Sequence, residues 1–181
     1  LGESIDDALG ETFDKVAKIL KLKYPGGPEI ENWALKGNEL SFSLPTPLLR
    51  DGGLNMSFSG LKTAINILVK KNKLTNIFIS DICSSFQFCI TKILIEKINR
   101  AIKQLSKESV DISSISIVGG VANNKYIINK LNNFAQSKDI KVFLPIKEMM
   151  SDNAAMIAWS AVLENINNAD ILFNPSPRLS I

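Results

Sequence analysis

The sequence predicts a helix-rich α/β fold, and three observations lead to that prediction. Apolar residues recur at intervals of three and four over residues 4–22 and 76–105, the spacing of helices with one buried face. Residues 116–124 place a short apolar strand before a glycine pair and a new helical pattern, an order typical of α/β proteins. Other strand-like segments are few, so the helices present more apolar surface than the strands can cover. We therefore expect part of the fold to lie outside these residues or on another chain.

The composition is that of a globular chain that can bury a core. Hydrophobic residues make up 45% of the 181 residues, and charged residues make up 22%. The net charge of +3 permits an anionic partner but does not require one. Because the chain contains no histidine, it cannot itself supply a histidine acid or base, a Ser-His-Asp triad or a histidine metal ligand.

The cysteines and the absence of targeting signals bear on the compartment. Cys83 and Cys89 lie six residues apart in an apolar helical segment, so we expect buried thiols in a reducing compartment. No uninterrupted apolar run approaches the roughly 18 residues that span a bilayer, and no signal peptide is visible. We expect a cytoplasmic protein without a membrane partner and, because the first residue is Leu1, a fragment of a longer one.

The first helix is predicted over residues 4–22, with Ser4 as its cap. Asp7, Glu11 and Asp14 share a second face of this helix, which is either a solvated acidic face or, at Asp14, a functional carboxylate. The sequence Tyr24-Pro-Gly-Gly-Pro28 then predicts a turn, either purely structural or in contact with an anion or a ribose. A second helix is predicted to follow over residues 29–35.

The middle of the chain is predicted to form an edge strand and two further helices. The strand covers residues 40–44, and a helix over residues 61–70 follows a cap at Ser57 or Ser59. At the end of that helix stand three lysines that form either a solvated helix end or an RNA contact, namely Lys70, Lys71 and Lys73. Residues 76–105 form one long helix or a broken pair, and their apolar stripe places them at the centre of the fold.

The glycine pair Gly119-Gly120 has two interpretations. Residues 116–118 are predicted to be a short buried strand, and Val121 is predicted to start a helix. Between them the glycines form either a bare tight turn or a backbone cradle for the phosphate of a nucleotide.

The last predicted elements are a strand over residues 141–144 and a helix from Ser151 to about residue 165. Asp152 lies at or beside the start of this helix, where it acts either as a cap or as a metal ligand. The segment 174–181, which contains two prolines, is predicted to be irregular.

Five stretches of the chain together resemble one protein family. Each is weak by itself, but five in the family's order and spacing are specific. They are Gly2-Glu-Ser-Ile-Asp-Asp-Ala-Leu-Gly-Glu11 with Phe13-Asp-Lys15, Tyr24-Pro-Gly-Gly-Pro28, Ser57-Phe-Ser-Gly-Leu-Lys-Thr63, Ile117-Val-Gly-Gly-Val-Ala-Asn-Asn124 and Ser151-Asp-Asn-Ala-Ala-Met-Ile-Ala158. The chain resembles the C-terminal half of the tRNA N6-adenosine threonylcarbamoyltransferases, formerly called O-sialoglycoprotein endopeptidases.

The resemblance implies an actin-like, two-lobed ATPase fold of the sugar-kinase and heat-shock-protein superfamily. This chain would be the C-terminal lobe, without the N-terminal lobe and the first strands of its own sheet. It would divide into a helical inserted region, residues 1–75, and a core lobe, residues 76–181. The implied reaction moves a threonylcarbamoyl group from threonylcarbamoyl-adenylate to N6 of the adenosine beside the anticodon of certain tRNAs.

The resemblance also implies which residues contact the adenylate, or ATP in its place. Asp14, Gly27 and Asn124 match adenylate-contacting positions, and the glycine pair Gly119 and Gly120 lies beside Asn124. Asp14 suits a ribose hydroxyl because a carboxylate accepts such hydrogen bonds well. We expect Asn124→Ala to weaken adenylate binding and to leave the fold intact. No residue of this chain matches a catalytic group.

Asp152 matches the one carboxylate ligand of a divalent metal, of the iron or zinc/magnesium class. The family's other two metal ligands are histidines of the first lobe, and its phosphate-contacting stretch belongs to that lobe as well. We therefore expect this chain to form an incomplete site. The implied partners are tRNA, the missing N-terminal lobe or a second polypeptide that supplies it, and other subunits of the threonylcarbamoyladenosine-forming complex.

Two alternatives to an enzyme half remain open. One is a non-catalytic paralogue or fragment that acts as a scaffold or dimerisation partner. The other is a sugar or acetate kinase lobe, which would share the fold but fits the Ser151-Asp-Asn motif poorly. Asn123 stands where the family usually has alanine, and Met150 where cysteine is common; neither difference removes a named contact.

Overall fold

The computed structural model of the chain describes residues 1–150 and 152–166. The predicted helix start at Ser151 and the predicted irregular segment 174–181 lie outside the described residues. The described elements are six helices, two short strands and two single-turn 3₁₀ helices. In chain order they are α1 (Leu9–Ile19), α2 (Gly26–Ala34), α3 (Ser59–Lys71), α4 (Asn76–Lys107), β1 (Ser114–Ser116), a 3₁₀ turn (Gly120–Asn123), α5 (Lys125–Gln136), β2 (Lys141–Phe143), a second 3₁₀ turn (Lys147–Met149) and α6 (Ala154–Ile166).

Helix α4 is the centre of the fold, as its apolar stripe predicts. It runs unbroken for 32 residues, so the single helix and not the broken pair is correct. The hydroxyl of Thr75 caps it by accepting the Phe78 N–H at 3.2 Å. Phe86 is fully buried and meets Phe13 of α1 edge to face, with ring centroids 4.9 Å apart. Residues of α1 to α5 close one hydrophobic core around it.

By length and composition, α4 could also cross a membrane. The mean hydropathy of its most apolar 18-residue window is 1.4. However, 72% of that window is buried inside the protein, which is the burial of a core helix.

Helix α1 begins at Leu9, so the prediction that it starts at Ser4 is wrong. The preceding backbone is engaged elsewhere: the Ile5 N–H donates to the Met56 carbonyl at 2.9 Å, and the Met56 N–H donates to the Glu3 carbonyl at 2.8 Å. The Ser4 hydroxyl donates to the Asp7 carbonyl at 2.7 Å and caps no helix. The buried face predicted for α1 is present from Thr12 onwards.

Helix α2 begins at Gly26, three residues before its predicted start at Glu29. Gly26 packs so closely on α1 that an added Cβ would lie 2.7 Å from the Asp14 Cα and 2.8 Å from the Ala17 Cβ. The Gly26 N–H donates to the Asp14 carboxylate at 2.8 Å. The carboxylate of the previous helix therefore satisfies a first-turn N–H that lacks an intrahelical partner.

Helix α3 spans nearly the predicted residues, but neither Ser57 nor Ser59 caps it. Its cap position is Phe58, and the acceptor is Asp6, which lies in the segment before α1. Asp6 accepts the Phe58 N–H at 2.8 Å and the hydroxyls of Ser57 at 2.5 Å and Ser59 at 2.8 Å. The two serines are thus donors to a distant carboxylate.

Residues 40–44 do not form the predicted edge strand. They run across α4 with side chains of that helix as hydrogen-bond partners. The Phe42 N–H donates to the Ser85 hydroxyl at 3.1 Å, and the Cys89 thiol lies 3.3 Å from the Pro45 carbonyl. Alternation of apolar residues here reflects contact with a helix surface, with Leu44 buried and Phe42 packed against Phe78.

The sheet consists, within the described residues, of β1 and β2 in parallel, with Ser114 opposite Lys141. β2 lies where predicted. β1 ends at Ser116, two residues before its predicted end, and it is not buried: Val118 just after it is 70% exposed. The helix predicted to start at Val121 begins at Lys125, because residues 120–123 form a tighter 3₁₀ turn first. The helix-rich α/β class is confirmed, and the boundary predicted at residue 75 stays a prediction.

Candidate adenylate-binding cleft

One open cleft brings together the five residues predicted to contact an adenylate. It encloses about 1220 Å³ between the start of α2 and residues 118–125, with α1 at its base. Asp14, Gly27, Gly119, Gly120 and Asn124 all line it, although more than 90 residues of chain separate the first pair from the rest. Mixed apolar and polar walls of this kind suit a small organic ligand.

The first wall is the junction of α1 and α2. Asp14 points one carboxylate oxygen at the Gly26 N–H. Gly27 is the second residue of α2, where a backbone N–H has no intrahelical partner and the helix dipole favours negative charge. A Cβ added at Gly27 would meet no heavy atom within 4 Å, so this glycine faces open space and not a neighbouring helix. Gly26 therefore serves packing, whereas Gly27 leaves the backbone accessible from the cleft.

The second wall is the segment that connects β1 to α5. Gly119 adopts φ +93°, a conformation that favours glycine, and a Cβ added at Gly119 or Gly120 would meet nothing within 4 Å. Both glycines thus expose backbone to the cleft. This geometry is compatible with both the bare turn and the phosphate cradle.

Asn124 has a structural task that the sequence prediction omitted. Its side chain is buried, at 6% exposed, and caps α5 by accepting the Ile127 N–H at 3.0 Å. The side-chain amide donates to Oε1 of the buried Gln87 of α4 at 2.5 Å. We therefore replace the expectation that Asn124→Ala leaves the fold intact: the substitution removes a helix cap and leaves Gln87 without its donor.

Glu31 connects the two walls, although it belongs to none of the motifs in the sequence. Its Oε1 accepts the Lys125 N–H, the first N–H of α5, at 2.7 Å. Glu31 lies one helical turn after Gly27 and lines the same cleft. Spacing from Gly27 was the available signal, but nothing in the sequence indicated that α5 would be its partner.

The acidic face of α1 divides into two parts. Lys15 bridges Asp7 at 2.7 Å and Glu11 at 2.9 Å, and these two contacts raise the pKa of the Lys15 ammonium. Asp7 and Glu11 are thus paired carboxylates outside the cleft. Asp14, one turn further on, is directed to the cleft and to Gly26.

Two further groups of predicted residues lie away from the cleft. Lys70, Lys71 and Lys73 are exposed at or just after the end of α3 and do not line the cleft. Cys83 and Cys89 are free, buried thiols, as predicted. Burial raises the pKa of Cys83 to about 12 and that of Cys89 to about 11, although the charge of Lys92 opposes the second shift.

Asp152 is exposed and stands immediately before the cap of α6. The cap itself is Asn153, whose Oδ1 accepts the Met156 N–H at 3.0 Å. Met150, two residues earlier, is at the rim of the cleft, but Asp152 does not line it. Within the described ranges 1–150 and 152–166, no three histidine, cysteine, aspartate or glutamate residues are grouped so that they could hold a metal ion. The described residues alone therefore do not fit a metal site, and Asp152 is a single carboxylate.

Comparison with known proteins identifies the family. A family model described as tRNA N6-adenosine threonylcarbamoyltransferase matches residues 1–159. The chain belongs to the tRNA N6-adenosine threonylcarbamoyltransferase family. All five cleft residues and Asp152 lie within the matched region.

Individual proteins of the threonylcarbamoyltransferase family are similar to nearly the whole chain. The proteins named tRNA N6-adenosine threonylcarbamoyltransferase from Wolbachia pipientis wMel and Rickettsia rickettsii (strain Sheila Smith) are 42% and 43% identical over 98% and 100% of this chain. The protein of that name from Rickettsia massiliae (strain Mtu5) is 45% identical over 97% of it. The chain spans about half the length of these relatives, 52%, 54% and 51% respectively.

Proposed function

We propose that this chain supplies one side of an adenylate-binding site in a tRNA N6-adenosine threonylcarbamoyltransferase. The observation that supports the proposal is the convergence of Asp14, Gly27, Gly119, Gly120 and Asn124 on one cleft. The proposed reaction is that of the family, transfer of a threonylcarbamoyl group from threonylcarbamoyl-adenylate to N6 of the adenosine beside the anticodon of tRNA, in the cytoplasm.

In this proposal each wall of the cleft has a distinct task. The free lone pairs of Asp14 accept a ribose hydroxyl while one oxygen stays fixed by the Gly26 N–H. The start of α2 at Gly27 and the exposed backbone of Gly119 and Gly120 attract the negative charge of the phosphate. Asn124 holds the second wall rigid through α5 and Gln87, so that it acts by positioning the glycine segment.

The exposed apolar surface near the chain's C-terminal end supports the expectation of a partner for this chain. On α6, Ile157 is 61% and Trp159 63% exposed, and beyond β2, Ile146 is 65% exposed. Several large apolar side chains with this much exposure are typical of a surface that another element covers. We propose that the N-terminal lobe of an actin-like fold, or a second polypeptide that supplies it, packs here. Other subunits of the threonylcarbamoyladenosine-forming complex remain expected partners.

For the metal, we propose only that Asp152 contributes one carboxylate beside the cleft. A complete set needs the family's histidines, and this chain has none. A divalent ion there would act as a Lewis acid towards the carbamoyl or phosphoryl oxygen when bound. The residues of this chain bind and orient the adenylate without it.

Complementation tests the proposal. We would combine this chain with the N-terminal half of the Wolbachia relative and measure binding of AMP and threonylcarbamoylation of tRNA. Asp14→Asn should weaken AMP binding by at least about tenfold, because a ribose hydroxyl loses a charged acceptor worth about 1.5–3 kcal/mol. Glu11→Gln, on the same helix but outside the cleft, is the matched control and should leave AMP affinity unchanged.

The same experiment separates the enzyme half from the scaffold. An inactive mixture that still forms a stable complex would favour the scaffold or dimerisation partner. Full activity of the isolated chain, or equal effects of Asp14→Asn and Glu11→Gln on AMP affinity, would contradict the proposal.

A further inference from the structure

A second groove lies on a neighbouring face of α5 from the cleft. It encloses about 490 Å³ between α4, α5 and the loop around residues 46–50. We call it the α4–α5 groove and define it by Arg50, Phe88, Lys92, Arg100, Tyr126 and Lys130. Neither the family comparison nor the sequence motifs assign it a role.

Four cations surround the α4–α5 groove, and two of them have no acidic partner among the described residues. Arg100 is engaged by Glu96 at 2.8 Å, and Lys130 approaches Glu39 at 3.6 Å. Arg50 and Lys92 are exposed and form no ion pair with any described residue. The groove therefore carries excess positive charge at these two positions.

Aromatic rings stand beside the cations. Phe88 and Tyr126 are half-buried and line the groove, so part of each ring is accessible. Tyr126 is held in place because its hydroxyl donates to Glu39 at 2.5 Å and the Lys130 ammonium lies 5.2 Å from its ring centroid. Cations that neutralise phosphates, combined with aromatic faces on which bases stack, are the usual means of binding single-stranded nucleic acid.

The position of the groove relates it to the cleft. Lys125 and Asn129 of α5 line the cleft, whereas Tyr126 and Lys130 line the groove. Consecutive residues of one helix point about 100° apart, so the two sites adjoin along α5. An RNA strand in the groove can thus place a neighbouring nucleotide at the mouth of the cleft.

We propose that the α4–α5 groove binds the phosphate backbone of the RNA substrate next to the nucleotide that is modified. Arg50 and Lys92 contact phosphates, and Phe88 and Tyr126 offer faces for unstacked bases of the loop. This inference rests on the proposed function for the identity of the RNA as tRNA. The binding of RNA is argued from the groove itself.

The test is fluorescence anisotropy of a labelled anticodon stem-loop RNA with the 181-residue chain across a salt titration. The variant R50E/K92E is compared with K18E/K23E, which makes the same change of net charge at two exposed lysines that line neither the cleft nor the groove. We expect R50E/K92E to weaken RNA binding at least tenfold. The slope of the logarithm of the binding constant against the logarithm of the salt concentration should fall in magnitude by about 1.4, the value for two lost single-strand phosphate contacts. K18E/K23E should change affinity less than about twofold, and thermal melting should show that both variants fold.

The possible outcomes decide the question. Equal losses from both variants, no loss from R50E/K92E, or no RNA binding by the unmodified chain would overturn the proposal. A groove variant that keeps RNA affinity but loses affinity for a polyglutamate peptide would assign the groove to an acidic protein segment and overturn it too. AMP binding, measured on the same variants, should be unchanged. If Asp14→Asn leaves AMP binding intact while R50E/K92E abolishes RNA binding, the adenylate proposal fails and the groove stands.

Discussion

The N-terminal helical core and the C-terminal elements of this chain differ in how well their apolar surface is covered. In the core, Phe13, Ile82, Phe86 and Ile90 are almost completely buried. Around β1, β2 and α6, large apolar side chains such as Val118 and Trp159 are mostly exposed. The cleft lies between these regions, with one wall on the helical core and the other on the segment after β1. The comparison indicates a well-packed helical core attached to a region whose large apolar side chains are left exposed.

The largest expected effect contrasts one aromatic residue from each region. Phe86→Ala should lower the free energy of unfolding by about 3–5 kcal/mol, because it removes a fully buried ring from a packed core. Trp159→Ala should change it by less than about 0.5 kcal/mol, because the side chain is exposed. Urea unfolding measures both, and similar losses would mean that α6 is part of the same stable core.

A pair of adjacent glycines sharpens the description of the first wall. Gly26→Ala should destabilise the chain by about 1–3 kcal/mol, since its Cβ would collide with the backbone of α1. Gly27→Ala has open space and should stabilise α2 by up to about 1 kcal/mol. If thermal melting shows the two variants to be equally stable, the close contact of α1 with α2 is wrong.

Two adjacent asparagines test the second wall. Asn124→Ala should cost about 1–3 kcal/mol of stability, because it removes the cap of α5 and the donor to Gln87. Asn123→Ala is the control, since Asn123 is exposed and its side chain donates, among the described residues, to the Gly120 carbonyl of its own turn. Equal stabilities in chemical denaturation would contradict the structural role of Asn124.

The smallest effect concerns Asp6, which joins the first segment to α3. Partial burial opposes ionisation, but hydrogen bonds from the Phe58 N–H and from Ser57 and Ser59 outweigh it and hold the pKa of this carboxyl well below its usual range. A depressed folded-state pKa means that the stabilisation is present above the unfolded value of about 3.9 and is lost as the pH falls below it. Asp6→Asn should therefore be less stable than the unmodified chain at neutral pH, with the difference shrinking below about pH 4. A difference independent of pH would contradict this assignment.

The sequence predicted the elements that depend on local periodicity and missed the contacts that depend on distant partners. The apolar stripe of α4 and the strand β2 could be read from spacing alone. The cap of α3 could not, because Asp6 lies about 50 residues before it. The role of Lys97 could not be predicted from spacing either. Its buried ammonium donates to the Leu48 and Gly53 carbonyls at 2.5 and 2.7 Å.

In the candidate site, too, the sequence predicted local motifs and missed contacts with distant partners. The family motifs predicted five residues that the fold brings to one cleft, but Glu31 and Gln87, which fix the walls, belong to no motif. Alternation over residues 40–44 predicts a strand, but a segment lying across a helix buries alternate side chains too, so alternation alone does not distinguish the two.

The most direct test of the central claim is a titration of AMP into the isotopically labelled chain, followed by amide chemical shifts. We predict weak binding, with shifts concentrated at Gly27, Gly119, Gly120 and their neighbours on both walls, and tighter binding when the N-terminal half of a relative is added. Absence of shifts in both conditions, or shifts confined to residues outside the cleft, would contradict the claim that this chain supplies one side of an adenylate site.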